Sequence, residues 1–132
     1  MKRYLLDSDT MSALARDPGG AAARRAEGKQ DACITSIIVA AELRFGLRKN
    51  PSTRLAAQVE PVLDAIPALP FESPADDHYA RIRANLEARG TLIGANDLLI
   101  AAQALALDAT LVTGNEREFR RVPGLRVENW IA

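Results

Sequence analysis

The chain has 132 residues, 48% of them hydrophobic and 26% charged, with 17 Lys and Arg balancing 17 Asp and Glu. That length and apolar content describe a single domain over residues 1–132 and exclude a disordered chain. The lack of net charge argues against a general nucleic-acid coat protein, though not against an enzyme that grips phosphates through a metal ion and a few arginines. A lone cysteine, Cys33, excludes an intramolecular disulfide and a cysteine metal cluster.

Residues 3–6 read as a first buried strand, and residues 9–15 begin a short helix broken by Asp17-Pro18-Gly19-Gly20. A second helical segment covers 21–28 and a second strand 32–35. Ser36 caps a helix through about Arg48, which Asn50-Pro51 ends. Residues 52–65 form the next helix, capped by Ser52 and kinked at Pro61. A third strand spans 68–71. Pro74 suits the first position of a helix reaching Arg89, with Gly90 as its stop. Residues 95–107 are almost all apolar after Asp97, as in a helix buried on most sides. Residues 110–113 make a fourth strand, 116–120 a helical turn and 125–128 a fifth strand. Strands alternating with helices predict an α/β fold with a parallel sheet covered on both faces. No signal peptide opens the chain, because Lys2-Arg3 leads straight into a strand, and no window is long enough for a membrane span. The expectation is a cytoplasmic protein without a membrane partner.

Four polar residues stand at the ends of these apolar runs. Asp7 ends Tyr4-Leu5-Leu6, and Glu42 lies one to two turns beyond the second strand. Asp97 opens Leu98-Leu99-Ile100-Ala101-Ala102, and Asn115 follows Thr110-Leu111-Val112-Thr113. In a parallel sheet the carboxyl ends of the strands share one edge, which is where open α/β sheets bind ligands. Carboxylates gathered there repel one another unless a cation sits between them, and a hard ion such as Mg²⁺ takes oxygen ligands. The pattern points to a metal-dependent phosphodiesterase site.

Each residue also has a plainer reading. Asp7 would cap the next helix, and Asp9 would be the N-cap of the helix over 11–15 or a support to the site. Asp97 at a helix start is held in its ionised form by the helix dipole. Thr113 and Asn115 would orient metal-bound water, with Glu116 as a further carboxylate; otherwise the segment is a polar loop capped by Asn115. Arg44 and Arg48, four residues apart, share a helix face that either meets a phosphate backbone or faces water. His78 is the only histidine and lies on a helix far from these motifs, so neither a Ser-His-Asp triad nor a histidine zinc site can be assembled.

Taken together, Tyr4-Leu5-Leu6-Asp7-Ser8-Asp9, Ile34-Thr35 through Ala41-Glu42-Leu43, Gly94 to Ala102 and Leu111 to Phe119 resemble the PIN-domain ribonucleases, specifically the VapC-type toxins of toxin–antitoxin pairs. Val122-Pro123-Gly124-Leu125 and Glu128-Asn129-Trp130 extend the resemblance to the end of the chain. The resemblance implies a three-layer α/β/α fold around a five-stranded parallel sheet of order 3-2-1-4-5. It implies an endoribonuclease using Mg²⁺ or Mn²⁺, with Asp7, Asp97 and Glu42 as metal ligands and metal-activated water attacking the phosphodiester. Asn115 stands where the family often has a fourth acid, a deficit that Glu116 or Asp9 would offset. The same resemblance implies a homodimer whose site is blocked by a small antitoxin in a hetero-oligomer. The helices from Ser36 to Ile66 are candidates for those surfaces.

Two other readings compete. Asp7-Ser8-Asp9-Thr10 approximates the opening motif of haloacid-dehalogenase-like phosphatases, with Asp7 as nucleophile, but Met11 follows it and no lysine occurs after Lys49. A PIN fold that has lost catalysis and only binds a partner is the second; three retained carboxylates argue against it.

Overall fold

Leu5 and Leu6 are both fully buried, as are Leu111 and Val112. Successive strand residues point to opposite faces, so both faces of this sheet are covered. The computed structural model describes residues 2–132. Its elements are β1 (Tyr4–Leu6), α1 (Ser8–Arg16), α2 (Ala21–Ala26), β2 (Cys33–Ser36), α3 (Ile37–Lys49), α4 (Thr53–Ala65), β3 (Ala68–Leu69), α5 (Ala75–Ala88), α6 (Ala95–Ala106), β4 (Thr110–Val112), α7 (Glu116–Phe119) and β5 (Val127–Glu128). All strand pairs are parallel, and the order is β3-β2-β1-β4-β5, as expected. Among the described residues no helix is long and apolar enough to cross a membrane.

Several boundaries differ from the sequence reading for local reasons. The first helix starts at Ser8, with Asp7 as its N-cap, so Asp9 is not the cap. β3 stops at Leu69, because Pro70 has no N–H to continue the ladder. The buried Gln103 donates to the carbonyls of Leu69 and Pro70 at 3.0 Å each. β5 starts late: Gly124 turns the chain at φ 79, and the Leu125 N–H goes to the Val122 carbonyl. Pro74 occupies the N-cap position of α5, not its first turn. α4 remains helical through Pro61. Both serine caps are present, with Ser36 accepting from the Ile38 N–H at 3.0 Å and Ser52 from that of Leu55 at 3.2 Å. α6 is buried on most sides, with Leu98, Ile100, Ala101, Ala102, Gln103 and Ala104 all inside. Cys33 is a buried strand residue, and burial pushes its thiol pKa up.

Candidate active site at the carboxyl edge of the sheet

Two fully buried threonines fix the strand ends from which the site is built. Thr35 donates to the Leu6 carbonyl at 2.6 Å and Thr10 to the Val112 carbonyl at 3.1 Å. Asp7 follows directly, its N–H bonded to the Val112 carbonyl at 2.9 Å. Asp7 is only 6% exposed. One carboxylate oxygen accepts from the Ser8 N–H at 2.8 Å and the other from the Thr113 hydroxyl at 2.9 Å. Burial pushes the Asp7 pKa up to about 6 against the pull of those two hydrogen bonds, and the charges of Asp9 and Glu42 add to the rise. Asp7 therefore caps its helix and also stands in an acidic cluster, so the two readings of this residue coexist.

The capped α3 carries Glu42 about a turn and a half from its start. One Glu42 oxygen accepts from the Asn96 amide at 3.4 Å, while Oε1 is buried and has no partner. Asp97, in the first turn of α6, does not behave as its helix position suggests. Burial, then the charge of Asp7, then Glu118 and Glu42, push its pKa up to about 7. Desolvation and like charges outweigh the helix dipole here.

Glu118 is the residue the sequence reading missed. Its charge adds to the rise of the Asp97 pKa, and its Oε2 accepts from the Asn115 amide at 2.7 Å. Asn115 thus supports an acid three residues on and makes no side-chain cap of its own. That i, i+3 spacing on a helical turn was the available signal. Glu116, proposed as the extra carboxylate, instead meets Arg120 at 2.6 Å and Asn129 at 2.9 Å. Asp9 accepts the Gly114 N–H at 2.8 Å. A Cβ at Gly114 would lie 2.8 Å from that same Asp9 oxygen, so a side chain there would force Asp9 away. Thr113 links the two loops: it donates to Asp7 and accepts from the Asn115 N–H at 3.0 Å. Arg44 is exposed and lines a groove between α3 and α4, apart from the acids. His78 is half-buried on α5, in keeping with its exclusion from the site.

The cluster is loose. Among the described residues no three Asp, Glu, His or Cys side chains are set closely enough to form a closed metal cage as they stand. The acids sense one another's charge, and Asp7, Glu42 and Asp97 approach from three different elements.

An α/β/α domain with this strand order and an acidic carboxyl edge defines the class, and the PIN-domain profile matches residues 4–125. The chain belongs to the PIN-domain family. Within it, the relatives are of VapC type. The chain is 36% identical to Ribonuclease VapC2 of Haemophilus influenzae, over 99% of this chain and 100% of that one. It is 34% identical to the tRNA(fMet)-specific endonuclease VapC of Salmonella typhimurium, over 98% and 99%. The crystal structure of DNA-bound VapBC from Salmonella typhimurium superposes with a TM-score of 0.89 at 32% identity, over 98% of this chain and 99% of that one. Family membership removes the haloacid-dehalogenase-like alternative.

Proposed function

We propose that this protein is a divalent-cation-dependent endoribonuclease and the toxin of a toxin–antitoxin pair. The observation that carries the reading is the meeting of Asp7, Glu42, Asp97 and Glu118 at the edge where an open α/β sheet binds ligands, with two of the four held well above the ordinary carboxylate range. The donors are all oxygen, the choice of a hard cation, and the buried Glu42 Oε1 has no hydrogen-bond partner. Mg²⁺ keeps several waters and needs only one or two carboxylates, so Asp7 and Asp97 suffice to hold it, with Glu42 direct or through water.

Bound there, Mg²⁺ or Mn²⁺ would lower the pKa of the attacking water and offset charge building on the phosphoryl oxygens. The chain's own residues supply the positioning. Ser8 and Thr113 hold the two oxygens of Asp7, so its carboxylate cannot rotate away. Asn96 holds Glu42 and Asn115 holds Glu118. The Glu118 charge raises the Asp97 pKa, and a cation between the acids would offset that repulsion.

The named relatives support RNA as substrate and make tRNA(fMet) the first target to test. The resemblance to VapBC supports an antitoxin partner, and a homodimer within a larger complex is part of the same proposal. The deciding experiment is cleavage of cellular RNA and of tRNA(fMet) by purified protein with Mg²⁺ or Mn²⁺, and with EDTA, beside Asp7→Asn and Asp97→Asn. Cleavage is expected only with metal, and to fall by about a hundredfold or more in each variant. Folded, metal-loaded wild type that cuts nothing would overturn the reading and favour a PIN fold that only binds.

A further inference from the structure

The positive charge of this chain is not spread evenly. Residues 43–54 hold Arg44, Arg48, Lys49 and Arg54 and no acid, although the whole chain has no net charge. Elsewhere Lys2, Arg81, Arg83, Arg120 and Arg126 meet a carboxylate, and Arg3, Arg24, Arg25, Arg89 and Arg121 donate to backbone carbonyls. Among the described residues none of the four cations in 43–54 makes a salt bridge. Three of them, Arg44, Arg48 and Arg54, line one groove of roughly 760 Å³ between α3 and α4, along with Ser52, Thr53 and Glu60. Three cations against one carboxylate, Glu60, leave the groove net positive, a surface that attracts a polyanion.

An exposed aromatic joins this groove to the acids. Phe45 is 64% exposed, the most exposed large apolar side chain among the described residues. Glu42, Phe45 and Arg48 are spaced i, i+3, i+6 on α3, a ridge that turns about 60° per step around the helix. Neighbours on such a ridge lie about 5–6 Å apart at Cβ. Nothing stands within 4 Å of a Cβ built at the adjoining Gly46, so the side of the ridge is open. Arginines beside an exposed ring form the combination that binds single-stranded nucleic acid, where the cations follow the phosphates and the ring stacks a base.

We propose that the second half of α3 and the first turn of α4 form the track for the RNA strand, with Arg44, Arg48 and Arg54 on its phosphates and Phe45 stacking a base next to Glu42. The inference rests on the nuclease reading above and adds where the substrate runs. It also explains how a chain without net charge holds a polyanion outside the acid cluster.

The test reads binding alone: fluorescence anisotropy of a labelled, short single-stranded RNA built of 2′-O-methyl nucleotides, which is not cut, across a salt series. The triple variant Arg44→Ala/Arg48→Ala/Arg54→Ala is expected to bind at least about tenfold more weakly, with the slope of log K against log salt smaller by about 0.7 for each phosphate no longer neutralised. Phe45→Ala is expected to weaken binding about tenfold with little change in slope, and Phe45→Trp to retain it. Arg81→Ala on α5 is the control and is expected to bind as wild type. Equal binding and slope in the triple variant overturns the proposal, as does absence of binding by wild type. So does a weakening that tracks a shift from dimer to monomer in sedimentation, which would make this face an interface between copies. Failure of the nuclease reading shows separately, as lack of cleavage of unmodified RNA.

Discussion

Around Tyr4 and Trp130 the polar groups are answered one by one. The Trp130 N–H donates to Glu128 at 3.0 Å, and the second Glu128 oxygen meets Lys2 at 3.5 Å. The Trp130 ring lies 5.3 Å from that of Tyr4, and the Lys29 ammonium stands 5.8 Å from the same indole. Asn129 accepts from the N–H groups of Ile131 and Ala132 at 2.8 and 3.0 Å. In the acid cluster, by contrast, Asp97 senses the charges of Asp7, Glu118 and Glu42, and one buried oxygen has no partner. The first region is built for stability, and the second gives some stability up. Two buried side-chain oxygens lack a partner among the described residues, Gln103 Oε1 on α6 and Glu42 Oε1, and only the second lies among like charges, where function is sought.

The largest expected effect breaks the satisfied side. Trp130→Ala removes a side chain that is 1% exposed and is expected to destabilise the domain by about 3–5 kcal/mol, read by urea unfolding. At low temperature, where the variant remains folded, its cleavage rate is expected to stay near that of wild type. A small stability loss with a large rate loss would show that the two regions are not separable.

The next effect sharpens the other side and has the opposite sign. Asp7 and Asp97 have folded pKa values raised to about 6 and about 7 from the ordinary aspartate value of 3.8. Between the unfolded and folded values the native state binds more protons than the unfolded state, so stability falls as pH rises through that window. The penalty is complete above about pH 7 and absent below about pH 4. In EDTA at pH 8, Asp7→Asn is expected to stabilise the domain by about 1–3 kcal/mol, and at pH 4 to melt with wild type. Asp97 is more exposed to solvent than Asp7, so a smaller gain is expected for Asp97→Asn. Mg²⁺ is expected to reverse the order at pH 8 by stabilising wild type and not the variants. Melting curves at the two pH values, with and without metal, check the sign directly.

Much of this was legible in the sequence. Alternating apolar runs pointed to the parallel sheet, and Asp7, Glu42 and Asp97 stood out because each follows a strand or opens the element beyond it. What stayed hidden depends on contacts between distant segments. Asp97 looks like a dipole-stabilised acid until Asp7 and Glu118 are brought beside it. Gln103 sits in an apolar helix stripe, and nothing local shows that it serves the carbonyls freed where Pro70 ends β3. Glu116 and Glu118 are two acids in one short turn. Only the direction of α7 decides which of them meets the site.

That last pair gives the finest test of the contrast. Glu118 is half-buried and raises the Asp97 pKa, whereas Glu116 is tied to Arg120 and Asn129 on the satisfied side. Glu118→Gln removes a charge that raises the Asp97 pKa, so in metal-free protein the Asp97 carboxyl is expected to titrate lower, toward its ordinary range. Cleavage at neutral pH is expected to fall about tenfold. Glu116→Gln loses an exposed ion pair worth about 1 kcal/mol at most and is expected to leave both the titration and the rate unchanged. Carboxyl-carbon NMR across the pH range separates the two variants before any activity is measured. If Asp97 titrates identically in Glu118→Gln and wild type, the acid cluster ends at three residues, and Glu118 belongs with the structural side of the comparison.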